Sequence, residues 1–343
     1  MATEGDQMIY GSVMFLILTI GLVGNILTIV ILLRKDYRSK LIVPYMLNMA
    51  VLDALLILFG YPVSINAILT GRRLKPEDRT CKFNAFVNGS IGISAIITLT
   101  YISFLMYRTI TNTTTMPRQI SAVYLFGSLC AIWTYGVLTM LPPLVGWSKF
   151  VPGAAGFSCA PDWGSASAST LSYNIVLMVL GFVIPVGVIS VCYYKIFRFL
   201  CFNPVPTAFA SIRNNRRRVN VRITRMIMVS IISFVISWSP YCVVSVMAMV
   251  HRAPSLPRGL AEIPELMAKA SVIYNPLVFT VMNIEFRRSL FQVMSNFRCK
   301  GDTGVSILFR YLFSRWHGFF SVATEGKSVG TRKKPRLKKL KSC

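Results

Sequence analysis

The chain has 343 residues, of which 54% are hydrophobic and only 14% charged, with a net charge of +25. A soluble domain of this size needs a more charged surface, so composition excludes a water-soluble globular fold. The apolar residues gather into runs of roughly 18 residues or more, long enough to cross a bilayer as helices.

Seven spans are predicted, near residues 8–33, 41–68, 82–108, 120–144, 170–200, 223–250 and 260–283. The first, Met8 to Leu33, is longer than a signal-peptide core. It ends at Arg34-Lys35 without a small-residue cleavage site, so it reads as a span and not a leader. Helix is the only open architecture that satisfies every backbone group in lipid, which makes the expected fold an all-α membrane bundle of seven transmembrane helices. Residues 1–7 form an outer N-terminus and 8–283 the bundle; 284–299 form a short amphipathic helix and 300–343 a basic tail. Pro44, Pro62, Pro142, Pro143, Pro185, Pro240, Pro264 and Pro276 fall in or beside the spans, where they kink helices without destroying them.

Orientation follows from charge. The loops Arg34–Lys40 and Arg213–Arg225 and the tail Arg332–Lys341 are basic and share one side, which the positive-inside rule makes cytoplasmic. The N-terminus is then outside, at a plasma membrane. Arg72, Arg73, Lys75 and Arg79 are an outer exception, partly balanced by Glu77 and Asp78. Basic loops facing anionic lipid account for the positive excess, so nucleic acid is not an expected partner. Cys130, Cys192 and Cys242 sit inside spans and read as packing residues. Cys81 opens the third span and Cys159 lies in the long outer loop, placed to form a disulfide in an oxidising compartment. Cys299 follows the amphipathic stretch and is a candidate for lipidation.

The spans carry landmarks in order: Gly24-Asn25, Leu47-Asn48-Met49-Ala50-Val51-Leu52-Asp53, Trp133, Pro185, Ser237-Trp238-Ser239-Pro240-Tyr241 and Asn275-Pro276. Each is weak alone; together they resemble the class A G-protein-coupled receptors over residues 8–299. Leu141-Pro142-Pro143-Leu144-Val145-Gly146-Trp147-Ser148, then Ser158-Cys159 and Asp162, resemble the fourth-helix exit and outer loop of opsins. Ala268-Lys269-Ala270-Ser271-Val272-Ile273-Tyr274-Asn275-Pro276 resembles the opsin seventh helix, where a lysine six residues before the asparagine holds retinal. The resemblance implies retinal on Lys269, in cis form in the dark. It implies a pocket of Trp238, Tyr241, Phe234 and Phe182 with Gly92 beside the polyene, and a covering loop with Trp163 and Ser158. It also places a sodium or water network at Asp53. For each aromatic, ordinary core packing is the plain alternative.

Lys269 supports this reading on its own terms. A lysine inside an apolar span costs on the order of 2.5–3.5 kcal/mol on insertion scales. It lies about two helical turns inside the span, too deep to snorkel. Burial disfavours the ammonium and leaves a neutral, nucleophilic amine that condenses with an aldehyde as a Schiff base. A structural ion pair is the plain alternative.

A protonated Schiff base needs a negative charge close by. The positions where opsins usually carry it hold Asn84, Gly153 and Ser64 here, all uncharged. The chain has 12 acidic residues. Most lie in termini and loops, and Asp162 is expected to pair locally, with Lys149 as a partner. Glu265, four residues before Lys269 on the same helix face, and Glu262, seven before it, remain. Three arrangements stay open: Glu265 as ionised counterion; a protonated Glu265 with chloride near Asn84, Ser64 and the Schiff base; or an unprotonated Schiff base absorbing in the ultraviolet. Among opsins, these uncharged positions resemble those of a divergent invertebrate group of cnidarian type.

The inner end departs from the family. Leu105-Met106-Tyr107 stands where class A receptors carry Asp/Glu-Arg-Tyr, counting from Cys81 without gaps; a two-residue shift would recover Arg108 but rotate it by roughly 200°. Asn220 replaces the acid on the sixth helix, and Phe279 the tyrosine after Asn-Pro-x-x. The resemblance implies a receptor and not an enzyme, signalling through a heterotrimeric G protein. Arrestin and receptor kinase would act on tail sites such as Ser321 and Thr324. A retinal photoisomerase with weak coupling is the first rival, and a receptor for a diffusible ligand the second.

Overall fold

A computed structural model describes residues 4–34, 37, 40–76, 78–111, 121–153, 156–202, 210–251 and 258–298. The helices in chain order are α1 (Glu4–Leu32), α2 (Val43–Leu69), α3 (Arg79–Thr111), α4 (Ala122–Met140), α5 (Ala168–Phe202) and α6 (Ala210–His251). Helix α7 runs in two parts, Arg258–Lys269 and Ser271–Met282, and α8 is Ile284–Arg298. Six of them are long and apolar enough to cross a membrane, and the second part of α7 is a shorter apolar helix. The chain divides into two compact units, Met1–Phe286 with the seven-helix bundle and Arg287–Cys343. Cys299 and the basic tail lie outside the described residues.

Polarity is inverted relative to a soluble protein. Ile20, Phe126, Leu138, Val191 and Ile236 point outward, whereas Asn25, Asn48, Asp53, Thr98 and Asn275 are buried. In lipid the apolar face costs nothing to expose, and polar groups must find partners inside. The landmark residues supply those partners. Pro276 has no N–H to offer the Val272 carbonyl one turn back, and Asn25 of α1 donates to that carbonyl at 2.9 Å. Gly24 lets α1 come close enough, since a Cβ there would sit 3.0 Å from the Pro276 ring. Trp133 donates to Asn48 at 2.9 Å and Asn48 to Thr98 at 3.0 Å, joining α4, α2 and α3. Gly136 lets α4 lie on α3, because a Cβ there would meet the Ser90 carbonyl at 2.4 Å.

The prolines also explain two wide turns. Leu56–Gly60 in α2 and Val179–Val183 in α5 form π turns, each closed by an N–H bonding five residues back, from Tyr61 to Leu56 and from Ile184 to Val179. In each case the next residue is a proline, Pro62 or Pro185, whose ring clashes with a carbonyl in that turn. Side chains from neighbouring helices satisfy the loosened carbonyls: Asn84 donates to Gly60 at 2.7 Å, and Tyr135 to Leu180 at 3.0 Å.

Three features differ from the sequence reading. Residues Phe150–Pro152 (β1) and Cys159–Pro161 (β2) pair antiparallel, a small hairpin within the expected all-α fold, with Val151 opposite Ala160. The basic segment Arg213–Arg225, expected as loop, lies within α6; no Gly or Pro interrupts it, and Arg is a good helix former. Cys130, expected to pack, is exposed, because it lies on the outward face of α4.

Candidate functional site

The Cys81–Cys159 disulfide pins β2 to the first turn of α3. The hairpin therefore lies across the end of the bundle. Beneath it is a cavity of about 540 Å³, within the range of small-molecule sites. Its wall includes Lys269, Glu265, Trp238, Tyr241, Phe234, Phe182, Gly92, Ser158 and Trp163, so nine expected site residues from four helices and the loop meet there.

The aromatic wall is ordered by its own contacts. Phe234 stacks on Trp238 with ring centroids 5.7 Å apart, and Tyr241 meets Trp238 edge-on at 6.1 Å. Trp163 of the loop donates to the Tyr241 hydroxyl at 3.0 Å. Gly92 faces the Trp238 ring, where a Cβ would stand 3.3 Å from Cη2.

Lys269 is 7% exposed and ends the first part of α7. The helix breaks at Ala270, and the Ile273 N–H turns to the Ala270 carbonyl at 3.0 Å. The Lys269 carbonyl accepts instead from the Tyr61 hydroxyl of α2 at 3.1 Å, and the Met267 carbonyl accepts from Ser237 of α6. The break is thereby fixed from both sides.

The amine Nζ forms an ion pair with Glu265 and donates to the Tyr10 hydroxyl of α1 at 3.3 Å. Ser158 donates to the same carboxylate oxygen of Glu265, joining α7 to the covering hairpin. Gly153 matters here: a Cβ on it would stand 3.6 Å from Glu265 Oε2. The α7 carboxylate thus occupies the space beside the loop position where opsins can carry one. Asp162 also lines the cavity but lies 3.5 Å from Lys149, the local pairing expected for it. The side chain of Glu262 lies outside the described ones.

Asn84 and Ser64 are not in the cavity wall. The Asn84 amide is committed to structure, donating to the Gly60 carbonyl and accepting from the Cys159 N–H at 2.9 Å. Ser64 is fully buried, and its Oγ has no hydrogen-bond partner among the described residues. Asp53 accepts from Asn275 at 3.0 Å, away from this cavity. Tyr10 was invisible to sequence reasoning, because nothing local distinguishes a tyrosine near the start of an apolar span.

At the far end of α3, Met106 is buried and Arg108 exposed, so the gap-free alignment sets an apolar side chain inward. Phe279 is buried and meets Phe286 edge-on at 6.0 Å.

The family described as 7 transmembrane receptor (rhodopsin family) matches residues 24–279. A "Melanopsin-like" protein of Danio rerio is 30% identical over 81% of this chain and 57% of its own length. A "Rhodopsin, GQ-coupled" of Mizuhopecten yessoensis is 28% identical over 84% of this chain and 60% of its own. The chain thus spans less than two thirds of these two relatives. The "Visual pigment-like receptor peropsin" of Homo sapiens is 28% identical, with 82% of both chains covered. The crystal structure of squid rhodopsin shares the fold, with a TM-score of 0.75 at 22% identity over 89% of this chain and 90% of that one. With the family match running from within α1 to within α7, the chain belongs to the rhodopsin family of seven-transmembrane receptors, as a member of opsin type.

Proposed function

We propose that the chain is a light receptor that carries retinal on Lys269 as a protonated Schiff base, with Glu265 as counterion. The observation behind this reading is a buried lysine amine that opens into an apolar, aromatic cavity and has a carboxylate against it. Retinal would supply the light-absorbing polyene whose cis–trans isomerisation changes its shape. The chain's residues do the rest. Lys269 anchors one end, and Glu265 balances its charge where water is excluded. Phe234, Trp238 and Tyr241 enclose the polyene. Trp238 lies two residues before Pro240, so pressure on its ring reaches the α6 kink. Borohydride reduction after incubation with cis-retinal is expected to leave a stable adduct on Lys269; no adduct would favour a diffusible-ligand receptor. Glu265→Gln is expected to abolish visible absorbance at neutral pH.

A second counterion reading has its own support. Chloride would sit near Asn84 and Ser64 with Glu265 protonated; the Ser64 hydroxyl, which has no hydrogen-bond partner among the described residues, is the donor it offers, while the Asn84 amide already serves the Gly60 carbonyl. A Glu265→Gln spectrum that is unchanged, but shifts when chloride is replaced by a bulky anion, selects it. A spectrum confined to the ultraviolet selects the unprotonated Schiff base.

For output we propose movement of α6 and coupling to a heterotrimeric G protein from a multi-pass plasma-membrane protein with its N-terminus outside. Its basic side faces cytoplasmic lipid, arrestin and receptor kinase, and Asp53 serves a sodium or water network. Relatives with G-protein-coupled names support the coupling. Met106, Asn220 and Phe279 favour the rival, a retinal photoisomerase with weak or no coupling. A light-triggered second-messenger assay separates the two; silence with every G-protein class selects the isomerase.

A further inference from the structure

Helix α1 contributes a polar group to the Lys269 site. Tyr10 is only 4% exposed, and its ring lies 6.2 Å from that of Phe157, the residue before Ser158. Its hydroxyl accepts from Lys269 Nζ at 3.3 Å, and it hydrogen-bonds to the Glu265 carboxylate as well. Nζ also lies 5.9 Å from the centre of the tyrosine ring. Packing alone does not need this hydroxyl, since phenylalanine would fill the same space. The groups facing Glu265 are Lys269 on its own helix, Tyr10 of α1, Ser158 of the hairpin, Tyr61 of α2 and Tyr241 of α6. Of these, Tyr10 touches both members of the ion pair.

We propose that Tyr10 is a positioning residue for the Lys269–Glu265 pair, its hydroxyl donating to the carboxylate and holding it against Nζ. The inference rests on the retinal reading for its spectral consequence but not for its contact. The iminium nitrogen of a protonated Schiff base on Lys269 carries one N–H, which Glu265 takes as the charged acceptor. Tyr10 then donates to Glu265 and spreads its negative charge. Deleting the hydroxyl concentrates that charge beside the nitrogen, which stabilises positive charge there and moves absorption to shorter wavelength.

Two measurements on the full-length protein test this. In the retinal-free protein in detergent, the melting temperatures of Tyr10→Phe, Glu265→Leu and the double variant form a thermodynamic cycle. The double variant is expected to melt with Glu265→Leu alone, because leucine offers the tyrosine hydroxyl no acceptor; strictly additive losses overturn the proposal. In protein loaded with retinal, Tyr10→Phe is expected to absorb at shorter wavelength; an unchanged or longer maximum overturns it. If wild type takes up no retinal by borohydride trapping, the functional reading fails while the cycle still decides the Tyr10 contact.

Discussion

Helix α3 meets the same kind of loss at both of its ends. Near the disulfide, Asn84 stands where opsins carry a carboxylate, and its amide is tied to the Gly60 carbonyl and the Cys159 N–H. At the opposite end, Met106 stands where the family carries arginine, and it is simply buried. The first end keeps a polar centre by drawing on another helix: Glu265 of α7 pairs with Lys269, with Tyr10 and Ser158 around it. The second end loses the charge on both partners, since Asn220 replaces the acid as well. A site that must hold a cation needs its charge balanced from somewhere. A restraint between two charges can be dropped as a pair, because removing both leaves neither buried alone.

Restoring the family residue at each end breaks the comparison if the two ends are in fact alike. Met106→Arg has the largest expected effect. It buries a cation without an acid, at a cost of about 3–5 kcal/mol. The melting temperature in detergent should fall sharply, and Asn220→Glu in the same chain should recover part of the loss. No loss from Met106→Arg alone would mean that end already holds a negative group.

Asn84→Asp is expected to cost less, about 1–3 kcal/mol, by replacing the donor to Gly60 with a carboxylate that repels that carbonyl. The same change adds a negative charge one hydrogen bond away from Cys159 of the cavity wall. Adding it to Glu265→Gln should therefore restore visible absorbance. Failure of that rescue would show that position 84 is too far from Lys269 to balance it.

Gly92→Ala is the mildest. Its new methyl would stand 3.3 Å from the Trp238 ring, so the ring must give by a few tenths of an ångström. A small shift in the absorption maximum with little change in melting temperature is expected. A large drop in stability would show that the ring cannot move.

Most of the helical frame was legible in the chain, because lipid imposes one simple demand: long apolar runs with their backbone satisfied internally. Glu265 was also legible, being four residues from Lys269 on one helix face. The hairpin was not, because β1 and β2 are short segments whose pairing depends on the disulfide and on the bundle below. Pro62 and Pro185 signalled kinks, but neither the π turns that form there nor the neighbours that satisfy them.

By itself, the sequence determined the membrane class, the number of spans, the opsin-type pattern and the lysine with its nearby acid. The membrane class and spans rest on composition and periodicity, the opsin-type pattern on motifs that resemble the family's, and the lysine with its acid on spacing along one helix, all of which are local. Tertiary structure alone decided that Asn84 is committed to backbone carbonyl and amide groups, that Ser64 is left without a partner among the described residues, and that Tyr10 reaches the ion pair. Those outcomes depend on which helices lie side by side and on how their prolines bend them, and residues 259 positions apart can meet at one amine only once the bundle has closed.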